Sequence, residues 1–213
     1  SSSSAASDVY KRQTYATAYY ARLLAKEGLG VITQKFIQTG CVGSSEDIEA
    51  HRRLTGTGTL PEDTEHLTAP IIFTYPASAQ LAARIDGCEI DTQLITDATD
   101  RLLERYDKVL IEGAGGLMVP ITDDYFAIDY VCERHLPVVL TTNSKLGSIN
   151  HTILSLEAIR SRGLELRAVI YNSYFDTDAE ISADTREYIC RYLARHFPDT
   201  AYIIMPPYDQ WER

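Results

Sequence analysis

Val109-Leu110-Ile111-Glu112-Gly113-Ala114-Gly115-Gly116-Leu117-Met118-Val119-Pro120 decides how the rest of the chain is read. The apolar run Val109 to Ile111 predicts a buried strand. It ends in a carboxylate, Glu112, followed by three glycines within four residues. In open α/β sheets, ligands sit at the carboxyl ends of the strands. Glycines there let backbone N–H groups approach anionic oxygens. A carboxylate at the strand tip suits a hard cation such as Mg²⁺. The stretch therefore offers one place for phosphate and metal together. Taken alone, a glycine turn beside a solvated glutamate reads equally well.

Working outward, helices and strands alternate. Helices are predicted over 14–27, 48–54, 78–85, 92–106, 127–135, 148–162 and 178–196. Strands are predicted over 31–36, 108–111, 138–142, 167–171 and 201–205. Residues 57–77, with Pro61, Pro70 and Pro76, read as loop. Ser44 with Asp47 fits a capping box for the second helix, and Asp91 fits the cap of the fourth. The strands lack period-2 polarity. That pattern specifies a mostly parallel sheet with helices on both faces. Lys35, Glu112, the Asn143–Gly147 loop and Asn172 then all fall at carboxyl ends of strands. Such a sheet puts those ends on one edge, where a cation, a carboxylate, glycine turns and a carboxamide would share a crevice. The set points to a polyphosphate, a metal and a small anionic substrate.

Composition narrows the classes. A chain of 213 residues, 45% hydrophobic, is long enough for one well-buried α/β domain. Its formal net charge of −10 argues against nucleic acid or an anionic membrane as partner. The four cysteines are scattered, with no metal-ligand spacing, and read as reduced thiols of a cytoplasmic protein. No apolar run approaches the length of a membrane span. Residues 1–13, SSSSAASDVYKRQ, have no apolar period and no signal-peptide core. They read as a foreign or disordered segment before a single domain, 14–213.

Three segments carry a resemblance. Glu112-Gly-Ala-Gly-Gly-Leu-Met-Val-Pro resembles the EGAGG strand tip of the dethiobiotin synthetases. Lys35-Phe-Ile-Gln-Thr-Gly40 is similar to that family's K-P-x-x-[ST]-G segment, and Lys145-Leu-Gly-Ser-Ile-Asn-His151 to its KLG-x-INH segment. The resemblance runs from Thr14 to about Tyr208. It implies a phosphate-loop NTPase-like fold and an ATP- and Mg²⁺-dependent cyclo-ligase acting on diaminononanoate and CO₂ through a carbamate and its phosphate. It also implies a homodimer with the substrate site at the subunit interface. By resemblance, Lys35 is the catalytic cation; Thr39, Gly147, Ser148 and Asn150 bind substrate. Thr14, Asp47, Glu112, Gly113, Ala114, Gly115, Asn172, Ser173 and Pro206 serve ATP, and Thr14, Asp47 and Glu112 the metal. His151 reads as structural.

One part of the pattern fails. The family's glycine-rich loop ends in Gly-Lys-Thr. Thr14 fits the last position, but Arg12 and Gln13 precede it, and no glycine occurs before Gly28. A phosphate loop needs glycines to turn its N–H groups inward and a Lys to reach the β and γ oxygens. The first strand and loop thus read as absent or replaced, and the domain as incomplete, with a last helix expected beyond Arg213. Two other classes remain open at this stage: a non-catalytic dimeric relative that has lost nucleotide binding, and another phosphate-loop synthetase such as an ATP-dependent amidotransferase.

Overall fold

The computed structural model describes residues 2–211. They form two compact units, Ser1–Tyr130 and Val131–Arg213, and each is taken by itself.

In the first unit, α1 (Ser2–Lys26) leads to β1 (Val31–Lys35) and β2 (Gln38–Thr39). Then follow α2 (Glu46–Thr55), α3 (Pro61–Thr64), β3 (Ile72–Phe73), α4 (Ala79–Asp86), α5 (Thr92–Leu103) and β4 (Lys108–Glu112). β1 pairs with β4 in parallel, and β2 with β3 in parallel. The register sets Lys35 beside Glu112, so two strands deliver their last residues side by side. Among the described residues β4 pairs with β1 alone, and Val109, Leu110 and Ile111 stay half-buried. Behind β1, the buried Ile32, Leu67, Ala98 and Leu102 make a core, with Leu60, Tyr106 and Val109 packed on it. Packing of this apolar face, more than intrinsic propensity, holds the helices.

α2 carries its own start and stop signals. Ser45, not Ser44, is the N-cap: its side chain accepts from the Ile48 N–H. Ser44 Oγ donates to Glu49 instead, 2.7 Å. Acidic Glu46, Asp47 and Glu49 lie in the first turn and Arg52 and Arg53 in the last, both favourable to the helix dipole. Gly56 ends the helix at φ 76°, in the left-handed region.

In the second unit, α6 (Ala127–Glu133) runs in from the first. β5 (Val138–Thr142), α7 (Ser148–Ser161), β6 (Leu166–Asn172), α8 (Ala179–His196) and β7 (Ala201–Met205) follow. Short 3₁₀ turns occupy Ser173–Phe175 and Tyr208–Gln210. The strands form one parallel sheet in the order β5-β6-β7. β6 is its middle strand, and Ala168, Val169, Ile170 and Tyr171 are buried on it, as a strand covered on both sides requires.

The α/β reading with parallel strands holds, and most elements lie within a few residues of expectation. Three differences matter. The first helix reaches back to Ser2 rather than starting at Thr14, and residue 1 of the segment read as foreign lies outside the described residues. β2 and β3 lie in or beside stretches read as loop, because two-residue strands exist only through their mutual pairing. Pro61–Thr64 is a helical turn within the same stretch, with proline at its first position.

Candidate active site

Four elements of the first unit converge on one charged cluster. Thr14 comes from α1, Lys35 from the end of β1, Asp47 from the first turn of α2, and Glu112 from the end of β4. All four are buried. Lys35 Nζ lies 2.7 Å from Asp47 Oδ2 and 2.9 Å from Glu112 Oε1. It also donates to the Gly113 carbonyl, 3.1 Å. The Thr14 hydroxyl reaches Glu112 Oε1 at 3.1 Å and Asp47 Oδ1 at 3.4 Å.

The electrostatics are mutual. Burial alone would push the Glu112 carboxyl up. The charge of Lys35 and the hydrogen bond from His51 outweigh it and bring it down to about 2. Burial would lower the Lys35 ammonium, but the Glu112 and Asp47 carboxylates outweigh that and raise it above 10.5. Each group is kept charged by its partners.

No group of three or more His, Cys, Asp or Glu is arranged to hold a metal among the described residues. The donor set is instead two carboxylates and a hydroxyl, all oxygen. That suits Mg²⁺, which takes one or two protein carboxylates and fills the rest of its octahedron with water and phosphate oxygens. The Lys35 ammonium rests where the two carboxylates meet, so the place already stabilises positive charge.

The residues after Glu112 form the turn expected of them. Gly115 has φ 86°, and a Cβ there would come within 2.9 Å of Val119 Cγ2. Its carbonyl accepts from Gln13 Nε2 at 2.5 Å. Gln13 thus meets this turn with a neutral amide at the position where the family pattern has lysine. Thr39 lies on β2, and Gly40 beside it has φ 76°, with Pro76 close enough that a Cβ would meet it at 2.9 Å.

Sequence reading missed three members of this neighbourhood. His51 is fully buried, with Nε2 2.6 Å from Glu112 Oε2. Its signal was available: it stands four residues after Asp47, on the same face of α2. Gln38 Oε1 accepts from Ser45 Oγ at 2.5 Å and so ties β2 to the cap of α2. Arg52 forks onto Asp63 at 2.9 and 2.7 Å and donates to Thr33 Oγ1 at 2.9 Å. It clamps α2 to β1 and α3.

The second unit holds the other predicted residues. Asn143, at the tip of β5, accepts from the Lys145 N–H and from Ser148 Oγ, both at 2.9 Å. Ser148 is therefore buried and turned toward its own loop, while Asn150 is exposed. Gly147 precedes α7 at φ 87°, with no side-chain cap there. Asn172 Oδ1 accepts from the Tyr174 N–H at 3.1 Å, and Ser173 Oγ donates to the Met205 carbonyl at 3.0 Å. Pro206 O accepts from the Trp211 indole at 2.9 Å. Asp176 gathers the hydroxyls of Ser144 and Tyr171 at 2.7 and 2.6 Å.

A family model described as an AAA domain matches residues 14–197. The chain is 45% identical over 193 residues to the ATP-dependent dethiobiotin synthetase BioD 2 of Pasteurella multocida, covering 91% of each chain. It is 45% identical over 193 residues to the enzyme of the same name from Haemophilus ducreyi, covering 91% of this chain and 92% of that one. Against the ATP-dependent dethiobiotin synthetase BioD of Chlorobaculum tepidum it is 48% identical over 184 residues, covering 86% and 77%.

Proposed function

The chain belongs to the dethiobiotin synthetase family, and from that premise we propose that it closes the ureido ring of dethiobiotin from diaminononanoate, CO₂ and ATP. The observation that carries the reading is the convergence of Lys35, Asp47, Glu112 and Thr14 at two neighbouring strand tips.

The carbamate and the transferred phosphoryl group are both anionic. Phosphoryl transfer asks the protein mainly for position and charge neutralisation. Lys35 supplies the positive charge beside the carbamate. Its two carboxylate partners keep it protonated and fix its direction, so little reorganisation is left for the reaction itself. Thr14, Asp47 and Glu112 would hold Mg²⁺, which when bound supplies further neutralisation of phosphate charge. Gly113, Ala114 and Gly115 offer backbone to the nucleotide. Thr39, Gly147, Ser148 and Asn150 serve the substrate, the last three through a homodimer. Asn172, Ser173 and Pro206 serve the adenine. No helix among the described residues is long and apolar enough to cross a membrane, and a cytoplasmic setting fits the four free cysteines.

The neutral Gln13 beside Thr14 leaves the β and γ phosphates without their usual lysine, so the expected result is weak ATP binding or none. The half-buried flank of β4 fits the helical state of the described residues 2–13, which add no strand beside it. The test is calorimetry with ATP and Mg²⁺ on this chain and on one whose residues 1–13 are replaced by a strand and a glycine-rich loop ending in Gly-Lys. Diaminononanoate and bicarbonate then follow, with dethiobiotin and ADP as products. Turnover by the repaired chain supports the reading. Two folded proteins that neither bind nucleotide nor turn over would sink it.

A further inference from the structure

His51 has no part in the chemistry above, yet it is the one fully buried histidine on the cluster. Its Nε2 sits 2.6 Å from Glu112 Oε2. An ionised carboxylate can only accept, so the hydrogen is on Nε2. Nδ1 is buried with no hydrogen-bond partner. A side chain kept only to fill space would avoid that cost, since an unpartnered buried polar atom is unfavourable. The bond to Glu112 is what the imidazole is placed to make.

The two Glu112 oxygens are consequently divided. Oε2 is taken by His51, while Oε1 faces Lys35 at 2.9 Å and Thr14 at 3.1 Å. We propose that His51 is a positioning residue which confines Glu112 to one-oxygen coordination and thereby selects Mg²⁺ over Ca²⁺ at the Thr14, Asp47 and Glu112 site. Mg²⁺ takes near-ideal octahedral geometry from single oxygens, whereas Ca²⁺ accepts bidentate carboxylates and a looser shell. With Oε2 held on His51 and Oε1 directed to Lys35 and Thr14, the carboxylate presents one oxygen to the site. The hydrogen bond also fixes the carboxylate plane, as outer partners of metal ligands commonly do. This inference rests on the Mg²⁺ reading of the site.

The experiment measures Mg²⁺ and Ca²⁺ each competing against bound Mn²⁺, followed by the return of the free Mn²⁺ paramagnetic resonance signal. The proteins are this chain, His51→Gln, His51→Leu, His51→Asn and Glu112→Gln. His51→Gln places an amide N–H near the Nε2 position and should keep the Mg²⁺ preference. His51→Leu should lose Mg²⁺ affinity by roughly 10- to 100-fold, the usual cost of removing an outer partner, with Ca²⁺ affinity kept or improved. His51→Asn places its amide at the Nδ1 side, out of reach of Glu112, and should behave like His51→Leu. It serves as the decisive variant if the leucine protein does not fold. Equal weakening of both cations in His51→Leu and His51→Asn would assign His51 to packing and overturn the proposal. So would an unchanged ratio. If the unaltered chain binds neither cation, or binds as well after Glu112→Gln, the metal reading itself fails and the selection role falls with it.

Discussion

The cluster around Glu112 and the strand-tip loops of the second unit use polar residues in opposite ways. Around Glu112, Lys35, Asp47, Thr14 and His51 come from three other elements and bond side chain to side chain, over separations of up to 98 residues. In the second unit, Asn143 bonds the N–H two residues on, and Asn172 does the same. Those are Asx turns, in which the side chain holds its own loop in shape. The first arrangement concentrates charge in a dry place. The second fixes backbone, leaving main-chain groups to meet a ligand. A charged group that must be neutralised needs the former. A planar heterocycle needs only the latter.

The contrast is broken most sharply at Glu112. Glu112→Ala leaves Lys35 with Asp47 and the Gly113 carbonyl, leaves Thr14 its longer contact to Asp47, and strips His51 of its acceptor. Removing one partner of a buried ion pair costs about 3–5 kcal/mol, so urea unfolding should show a loss of that order. A loss within a few tenths would mean that the cluster is more hydrated than its burial implies. The same network predicts a pH profile. The Glu112 carboxyl stands at about 2 when folded against an ordinary 4.5. Its contribution is therefore fully present above 4.5 and lost as pH falls toward 2. The Lys35 ammonium is raised above 10.5, so its contribution is complete below 10.5 and lost as pH climbs through the raised value. Stability between pH 4.5 and 2 should fall more steeply in the unaltered chain than in Glu112→Gln. Parallel slopes would count against the pairing.

Lys35→Met separates charge from architecture. Two carboxylates then face each other without the ammonium, and Glu112 should titrate above its present value of about 2. Cation affinity should rise, because the competing ammonium is gone. Turnover of a loop-repaired protein should fall by roughly 10³-fold or more, as for cationic groups that stabilise phosphoryl transfer. Calorimetry with Mg²⁺ and product assay on the same sample decide it. A variant that loses both together would make Lys35 merely structural.

What could be read beforehand divides along the same line. Strand tips, their glycine turns and the spacing from Lys35 to Gly40 are local patterns. They placed Lys35, Asp47 and Glu112 correctly at the ends or first turns of elements. Pairing that depends on distant partners was not visible. β2 and β3 have two residues each and no propensity signal of their own. Ser44 fits a cap by its spacing from Asp47, but Ser45 caps α2, with its Oγ also bonded to the distant Gln38. His51 has the right spacing from Asp47. Its partner Glu112, however, lies 61 residues on, and nothing in the helix pattern names it.

Arg52 tests whether the clamp beneath the cluster depends on geometry or on charge. Its guanidinium makes two bonds to Asp63 and one to Thr33 Oγ1. Arg52→Lys keeps the charge and loses the fork. Hydrogen bonds to charged groups contribute about 1.5–3 kcal/mol each, so a destabilisation near the lower figure is expected, with the Asp63 carboxyl less depressed. Equal stability would show that charge alone suffices.

The last test belongs to the second unit, and there the sign of the comparison reverses. Asn172→Asp keeps the Oδ1 acceptor that holds the Tyr174 N–H at 3.1 Å. Asn172 is buried, so the turn should survive at a cost of about 1–3 kcal/mol for the desolvated carboxylate. The carboxamide donor is lost, however, and a carboxylate cannot both donate to and accept from a purine edge. ATP should therefore bind more weakly in the loop-repaired protein, while turnover at saturation stays close to its parent's. Asn172→Ala gives the converse, losing the turn as well as the edge, at about 1 kcal/mol of stability, as for a lost side-chain cap. If the aspartate variant kept full ATP affinity while the alanine variant lost it, Asn172 would act by shaping its loop. The second unit would then contact the nucleotide through backbone alone.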